Sequence, residues 1–147
     1  MKGEHIVAVQ SKRVKYRLTI RRNITILTGG SGTGKTTLIS MIADSRRKEL
    51  GITLSCDKKC IVLNDRGPFD DSWEESLKRT KDSTVFIDEG SEFINTEKFA
   101  HLCKKSDNYY VIATREALPQ LPYSILEVYG IRESNKYGAV QVQQNET

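Results

Sequence analysis

The chain has 147 residues, 37% hydrophobic and 29% charged, with three prolines and no biased tract; this suits one globular domain and excludes collagen-like, coiled-coil and wholly disordered chains. Its 23 Lys and Arg against 19 Asp and Glu leave a net charge of +4, which tolerates a polyanionic partner without demanding one. The longest unbroken apolar run, Tyr109 to Ala113, falls far short of the about 20 residues of a membrane span, and the start Met1-Lys2-Gly3-Glu4-His5 lacks the apolar stretch of a signal peptide, so a cytoplasmic protein without membrane insertion is expected.

In chain order, Ile6 to Gln10 and Val14 to Ile20 read as strands of an antiparallel hairpin turned at Ser11-Lys12-Arg13. The second alternates, with Val14, Tyr16, Leu18 and Ile20 on one face and Lys15, Arg17, Thr19 and Arg21 on the other. Ile24 to Thr28 is an apolar strand running straight into the cluster Gly29-Gly30-Ser31-Gly32-Thr33-Gly34. From Lys35 to about Leu50, Leu38, Ile39, Ile42 and Ala43 stand at helical spacing, and Gly51 is the expected stop. Ile52 to Ser55 and Cys60 to Asn64 are two further strands around the polar turn Asp57-Lys58-Lys59. Asp65 to Asp70 reads as loop and Asp71 to Lys81 as a short helix opened by Asp or Ser capping.

Thr84 to Ile87 is an apolar strand closed by Asp88-Glu89-Gly90, and a helix from about Thr96 to Lys105 is expected to be capped by Asn95. Tyr109 to Ala113 has the continuous apolar character of a strand buried on both faces of a parallel sheet. A proline-punctuated loop at Leu118 to Pro122 and a turn of helix lead to strands at Glu127 to Ile131 and Ala139 to Val142, joined by a turn around Asn135 to Gly138. Residues 143–147 are expected to form a loose tail. The alternation of apolar strands and helices argues for an α/β fold with a mostly parallel central sheet, in one domain spanning residues 1–147 with the antiparallel hairpin at 1–23.

Gly29-x-x-x-x-Gly34-Lys35-Thr36 fits the phosphate-binding pattern GxxxxGK[ST] and stands between a buried strand and a helix N-terminus, the context that pattern requires. Glycines at 29, 30, 32 and 34 allow the backbone to curl its N–H groups around a phosphate without Cβ clashes, with Ser31 and Thr33 between them. The helix start, through Thr37, adds unpaired N–H donors and a partial positive charge. Lys35 supplies a full charge toward the β- and γ-phosphates, and the Thr36 hydroxyl is placed for Mg²⁺. Asp88, at the tip of a strand expected to neighbour the phosphate loop, can hold the Mg²⁺ through its water shell; Glu89 can orient a water for attack on the γ-phosphate. Thr114 and Arg115 close the next apolar strand, where they could contact the γ-phosphate, attacking water or a neighbouring site; ordinary loop residues explain them about as well. Asp65-Arg66 could face a phosphate-bearing second substrate, although a turn-forming Asp beside a solvated Arg accounts for it more simply. Trp73 suits packing on the sheet, and His5 and His101 suggest no catalytic arrangement.

Three cysteines, Cys56, Cys60 and Cys103, cannot close a disulfide set, and no CxxC pair is spaced for zinc or redox work. The basic hairpin residues Lys15, Arg17 and Arg21, flanked by Lys12, Arg13 and Arg22, could lie along a nucleic-acid backbone, although an edge strand protected by charge is the commoner arrangement.

With the phosphate-loop pattern and the Asp88-Glu89 pair, the chain resembles the P-loop NTPases of the branch that carries an added catalytic glutamate, among them the AAA-, ABC- and RecA-type ATPases. The hairpin ahead of the loop strand resembles the opening of ABC-type and SMC-like ATPases, and Tyr110-Val111-Ile112-Ala113-Thr114-Arg115-Glu116 falls where their switch-histidine strand would be. Glu127-Val128-Tyr129-Gly130-Ile131 resembles their closing strand. The resemblance implies a three-layer P-loop fold, ATP or another nucleoside triphosphate with Mg²⁺ as cofactors, and an ATPase acting as a motor, switch or assembly factor with a protein partner or in a homo-oligomer. It also has departures: there is no LSGGQ-like signature, only about 50 residues separate Lys35 from Asp88, and Arg115 replaces the switch histidine. A small-molecule or nucleotide kinase is the alternative, against which stands the lack of an arginine-rich lid segment, and a nucleotide-gated binding module without turnover is a third.

Overall fold

Strand β1 (His5–Gln10) turns back on β2 (Lys15–Ile20) in an antiparallel hairpin registered from His5↔Ile20 to Gln10↔Lys15. The computed structural model describes residues 4–28, 34–63, 73–88, 91–114, 128–133 and 139–144. Ser11 makes the hairpin turn: its N–H donates to the Val14 carbonyl at 2.8 Å, and its hydroxyl accepts from the N–H groups of Arg13 and Val14 at 3.2 and 3.3 Å. Strand β3 (Ile24–Thr28) leads toward the glycine cluster, beyond which α1 (Lys35–Asp44) begins. This helix ends six residues before the expected Leu50. The hydroxyl of Ser45 donates to the Ile42 carbonyl at 2.7 Å, and the run Arg46 to Glu49 has no apolar face to bury, so only a 3-10 turn forms at Lys48–Leu50, stopped by Gly51 at φ 67°.

Beyond Gly51 lie β4 (Thr53–Ser55), β5 (Lys59–Leu63), α2 (Trp73–Arg79), β6 (Ser83–Ile87), α3 (Glu97–Lys105), β7 (Tyr109–Ala113), β8 (Val128–Glu133) and β9 (Ala139–Gln144). Thr96, rather than the expected Asn95, caps α3: its hydroxyl accepts from the Phe99 N–H at 3.2 Å. Asn95 is instead held in the 3-10 turn Glu92–Asn95, which forms because Phe93 and Ile94 are buried. Strand β9 reaches Gln144, which pairs with Tyr129, so two residues of the expected loose tail belong to the sheet. The expected loop at 118–122 and the turn at 135–138 lie outside the described residues.

The strands form one mixed sheet in the order β4-β1-β2-β9-β8-β3-β7-β6-β5. From β8 to β5 all pairs are parallel; β4, β1 and β2 pair antiparallel, and β9 joins the blocks, parallel to β2 and antiparallel to β8. Strands β4 and β5 stand at opposite ends of that order, although only Cys56, Asp57 and Lys58 separate them in sequence. Four residue steps span at most about 14 Å, whereas nine flat strands would place their edges about 38 Å apart. The sheet must therefore curl until its ends approach, and α1 fills the curl. Val7, Val9, Tyr16 and Leu18 of the hairpin share a buried cluster with Leu38, Ile39, Met41 and Ile42 of α1 and with Leu27, Phe86 and Val111 of the parallel block.

The other side of the parallel block is covered by α2, α3 and the turn before α3. Leu77, Phe93, Ile94, Phe99, Ala100 and Cys103 pack there on Ile26, Val85, Ile87 and Ile112. Trp73 stacks on Phe93 at 4.8 Å between ring centres and meets Phe99 edge-on, so it packs on these aromatics. Helices on both sides explain why β6 and β7 are buried at every position. Buried Asn108 closes the lower end of this layer, its amide donating to the Thr80 carbonyl and its oxygen accepting from the Ser83 N–H, both at 3.0 Å. The fold is thus mixed α/β, a parallel block continuous with an antiparallel one that bends over α1. No helix of the described residues is long and apolar enough to cross a membrane.

Candidate functional site

Parallel strands deliver their carboxyl ends to one edge, and in this sheet that edge gathers the residues singled out for phosphate chemistry. Strand β3 points to α1, whose first residue is Lys35, 2% exposed. Gly34 caps the helix at φ 98° and ψ 3°, a left-handed conformation that glycine adopts freely and that no side chain supplements with a capping bond. Its carbonyl accepts the first helical bond, from the Leu38 N–H at 3.0 Å.

Asp88 does not follow a strand adjacent to β3, as expected; β7 lies between, paired with β3 on one side and with β6 on the other. The intervening strand does not separate the two groups. Thr84 and Phe86 alternate onto the α1 side of β6, and Asp88 continues that alternation beyond Ile87. Its Oδ1 accepts from the Thr36 hydroxyl at 3.5 Å, joining the helix start to the acid across the end of β7. Two cis oxygens on a Mg²⁺ with bonds of about 2.1 Å stand about 3 Å apart, and trans ones about 4.2 Å. The Thr36–Asp88 separation of 3.5 Å is about 0.5 Å longer than the cis spacing, and a hydroxyl and a carboxylate, the latter directly or through a bound water, are the hard oxygen donors that Mg²⁺ takes, so the pair fits the cation.

Thr114 ends the intervening strand. It is buried, and its N–H donates to the Leu27 carbonyl at 2.9 Å, which fixes it between the β3 and β6 ends. Gly34, Lys35, Thr36, Thr37, Asp88 and Thr114 are therefore brought to one edge, with Thr36 and Thr37 exposed and Asp88 half-buried. Gly29 to Thr33, Glu89, Arg115, Asp65 and Arg66 lie outside the described residues.

Sequence reasoning missed Tyr16 at this edge. From the hairpin, its hydroxyl donates to the Gly34 carbonyl at 3.2 Å, although the side chain is 2% exposed. The signal was present in the alternation of β2, whose inward face carries a phenol among Val14, Leu18 and Ile20. A buried tyrosine hydroxyl needs a partner, and the curl of the sheet supplies the carbonyl at the root of the glycine cluster.

No protein-family model matches the chain, and no curated protein or solved structure does.

A second polar group occupies the opposite ends of β6 and β7. His5 shares a 3.1 Å hydrogen bond with the Thr84 hydroxyl and packs edge-on against Tyr109 at 4.3 Å. Burial lowers the His5 pKa, the nearby Lys58 charge lowers it further, and Asp57 opposes them. The neighbouring Cys56 and burial push the Cys60 thiol up, whereas hydrogen-bonding neighbours hold the Cys56 thiol below its ordinary value. All three cysteines are free thiols.

His5 gives a pH dependence with a definite sign. Its folded pKa lies below the ordinary 6.5, so the unfolded chain binds the proton more readily. The stability it contributes is fully present above pH 6.5 and is lost as the pH falls below that value toward the folded pKa. Urea midpoints should therefore drop between pH 7 and pH 5, and drop less in His5→Gln; equal slopes for the two proteins would remove His5 as the cause.

Proposed function

We propose that the protein binds a nucleoside triphosphate with Mg²⁺ at the carboxyl ends of β3, β7 and β6 and hydrolyses it, as a P-loop ATPase that works as a motor, switch or assembly factor. The observation that carries this reading is the Thr36–Asp88 contact: a phosphate-loop hydroxyl and a strand-end acid, 52 positions apart, meet across an intervening strand. Nothing in a flexible glycine loop ahead of a helix requires that meeting.

In this reading the amides of Gly29 to Gly34 and the start of α1 cradle the phosphates, and Lys35 neutralises the β- and γ-oxygens. Thr36 and Asp88 would hold the Mg²⁺, which would supply positive charge against the phosphate oxygens. Glu89 would hold the attacking water in line and take its proton as the water oxygen bonds to the γ-phosphorus and the bond to the β,γ-bridging oxygen breaks, releasing a nucleoside diphosphate. Thr114 and Arg115 would contact the reacting phosphate or, for Arg115, a neighbour's. Lys35 is held at the buried start of α1 before reaction, so charge developing in the transition state would meet a cation that needs little rearrangement.

The test is direct. Purified protein with ATP and Mg²⁺ should release inorganic phosphate, and chelation of the Mg²⁺ should stop it. Phosphate appearing on an added small-molecule or nucleotide acceptor would make the protein a kinase, and binding without turnover would make it a gated module. Failure to bind any of the four nucleoside triphosphates in the presence of Mg²⁺ would end the reading.

A further inference from the structure

The charge of this chain is unevenly placed. Residues 1–23 contain Lys2, Lys12, Arg13, Lys15, Arg17, Arg21 and Arg22 against the single acid Glu4, so the rest of the chain is slightly acidic although the whole carries +4. The fold then sorts these cations onto one side. Hairpin residues Val7, Val9, Tyr16, Leu18 and Ile20 turn inward to the α1 cluster, and the pleat sends Lys15 and Arg17 outward, where both are exposed.

Apart from exposed Ile6, the rest of this outer face on β1, β2 and β4 is small or polar. Ala8 pairs with Arg17 and with Ser55, and Gln10 pairs with Lys15 and with Thr53. Among the described residues α2 and α3 pack only on the parallel block, so this side of the hairpin has no helix over it. Lys12 and Arg13 stand at the turn, Arg21 and Arg22 at the far end, and β2 between them spans about 20 Å at the usual rise of a strand. Glu4 is occupied by Arg21 at 3.2 Å, so no acid of the hairpin opposes Lys15 or Arg17.

We propose that this uncovered face binds the phosphate backbone of duplex DNA, and that Tyr16 links it to the phosphate loop. Charge complementarity selects the partner. Along each strand a duplex carries one negative charge per about 3.4 Å of axis, close to the spacing of the six hairpin cations from Lys12 to Arg22 over about 20 Å. A single strand held without sequence preference is usually gripped by stacking on aromatic rings, and the outward positions of β1 and β2 carry none. A membrane would need apolar residues to insert, and the face offers only Ile6. The link follows from the pleat: Tyr16 lies between Lys15 and Arg17, so a ligand that holds those two residues also holds the strand whose hydroxyl supports Gly34. This second half rests on the proposed nucleotide site; the DNA surface does not.

Fluorescence anisotropy of a labelled 20-base-pair duplex, without nucleotide, tests the surface. Affinity should fall steeply with salt; Lys15→Gln with Arg17→Gln should weaken it roughly tenfold and reduce the log–log salt slope by about 2, one for each phosphate no longer neutralised. Lys104→Gln with Lys105→Gln, which removes the same charge from α3, should change affinity less than about twofold. Salt-insensitive binding, equal losses in the two double variants, or tighter binding of single strands or anionic vesicles would overturn the proposal. For the link, duplex should shift the Kd for Mg-ATP in the parental protein, and Tyr16→Phe should bind duplex normally but lose that shift. A shift that persists in Tyr16→Phe, or is absent from the parent, removes the link. If the duplex binds and no nucleotide does, the nucleotide reading and the link fail while the surface stands; the converse result sinks the surface and the link and leaves the nucleotide reading standing.

Discussion

Lys35→Ala should lose nucleotide binding almost completely. Lys35 is the first residue of α1, follows the left-handed Gly34 and is 2% exposed, so its ammonium is held out of water at the helix end where the dipole is already positive. A cation at that end works against the dipole, and phosphate oxygens are the anion that both attract. Removing one partner of such a desolvated charge pair costs about 2–5 kcal/mol, which is roughly 30-fold to several thousand-fold in Kd for Mg-ATP. Titration calorimetry would read the loss, and a circular dichroism melt of the ligand-free variant separates it from unfolding. A Kd within threefold of the parent's in a folded variant would take Lys35 out of the site.

Glu89→Gln should behave differently, binding Mg-ATP within about threefold of the parent while kcat falls by about 10²–10⁴. The division of labour follows from Asp88. In the proposed reading the Thr36 contact assigns the Asp88 carboxylate to the cation, which leaves that of Glu89 for the water. Glutamine keeps the size and the hydrogen-bonding reach of glutamate but cannot take a proton, so the substitution separates chemistry from binding. Single-turnover phosphate release would read the chemical step; release at the parental rate would assign the base to another residue. Asp88→Asn provides the contrast, since its loss should appear in the Mg²⁺ concentration needed for half-maximal binding.

How much of this was legible in the chain depended on range. Tyr109 to Ala113 was legible as a doubly buried strand because five consecutive apolar residues cannot sit at a surface, and the hairpin because its alternation has the two-residue period of a strand. Gly34 was legible as the helix start, since a residue at φ 98° is a glycine's position. The end of α1 was not. Charged residues with good helical propensity prolong the pattern to Leu50, but without a core to pack on they carry no helix, and Ser45 closes it at Ile42. Asn95 and Thr96 are both good caps, and only the burial of Phe93 and Ile94 in a 3-10 turn decided between them.

The candidate site divides along the same line. Lys35, Thr36 and Asp88 were chosen from their neighbours in sequence, but β7 standing between the loop strand and the acid could not be read there. Nor could Tyr16, whose partner lies 18 residues away and is reached because the sheet curls.

By itself, then, the sequence determined the types of the elements, the phosphate-loop pattern and the sign of the hairpin's charge. These properties reside in a few adjacent residues, through the period of side-chain direction, the freedom of glycine and the excess of Lys and Arg. The tertiary structure decided the strand order, the insertion of β9 between β2 and β8, the bend that brings β4 back toward β5, and with it the Tyr16 contact beneath Gly34. Those outcomes belong to no local segment. They follow from the need of two apolar faces, one on the hairpin and one on the parallel block, to be buried against the same helix α1.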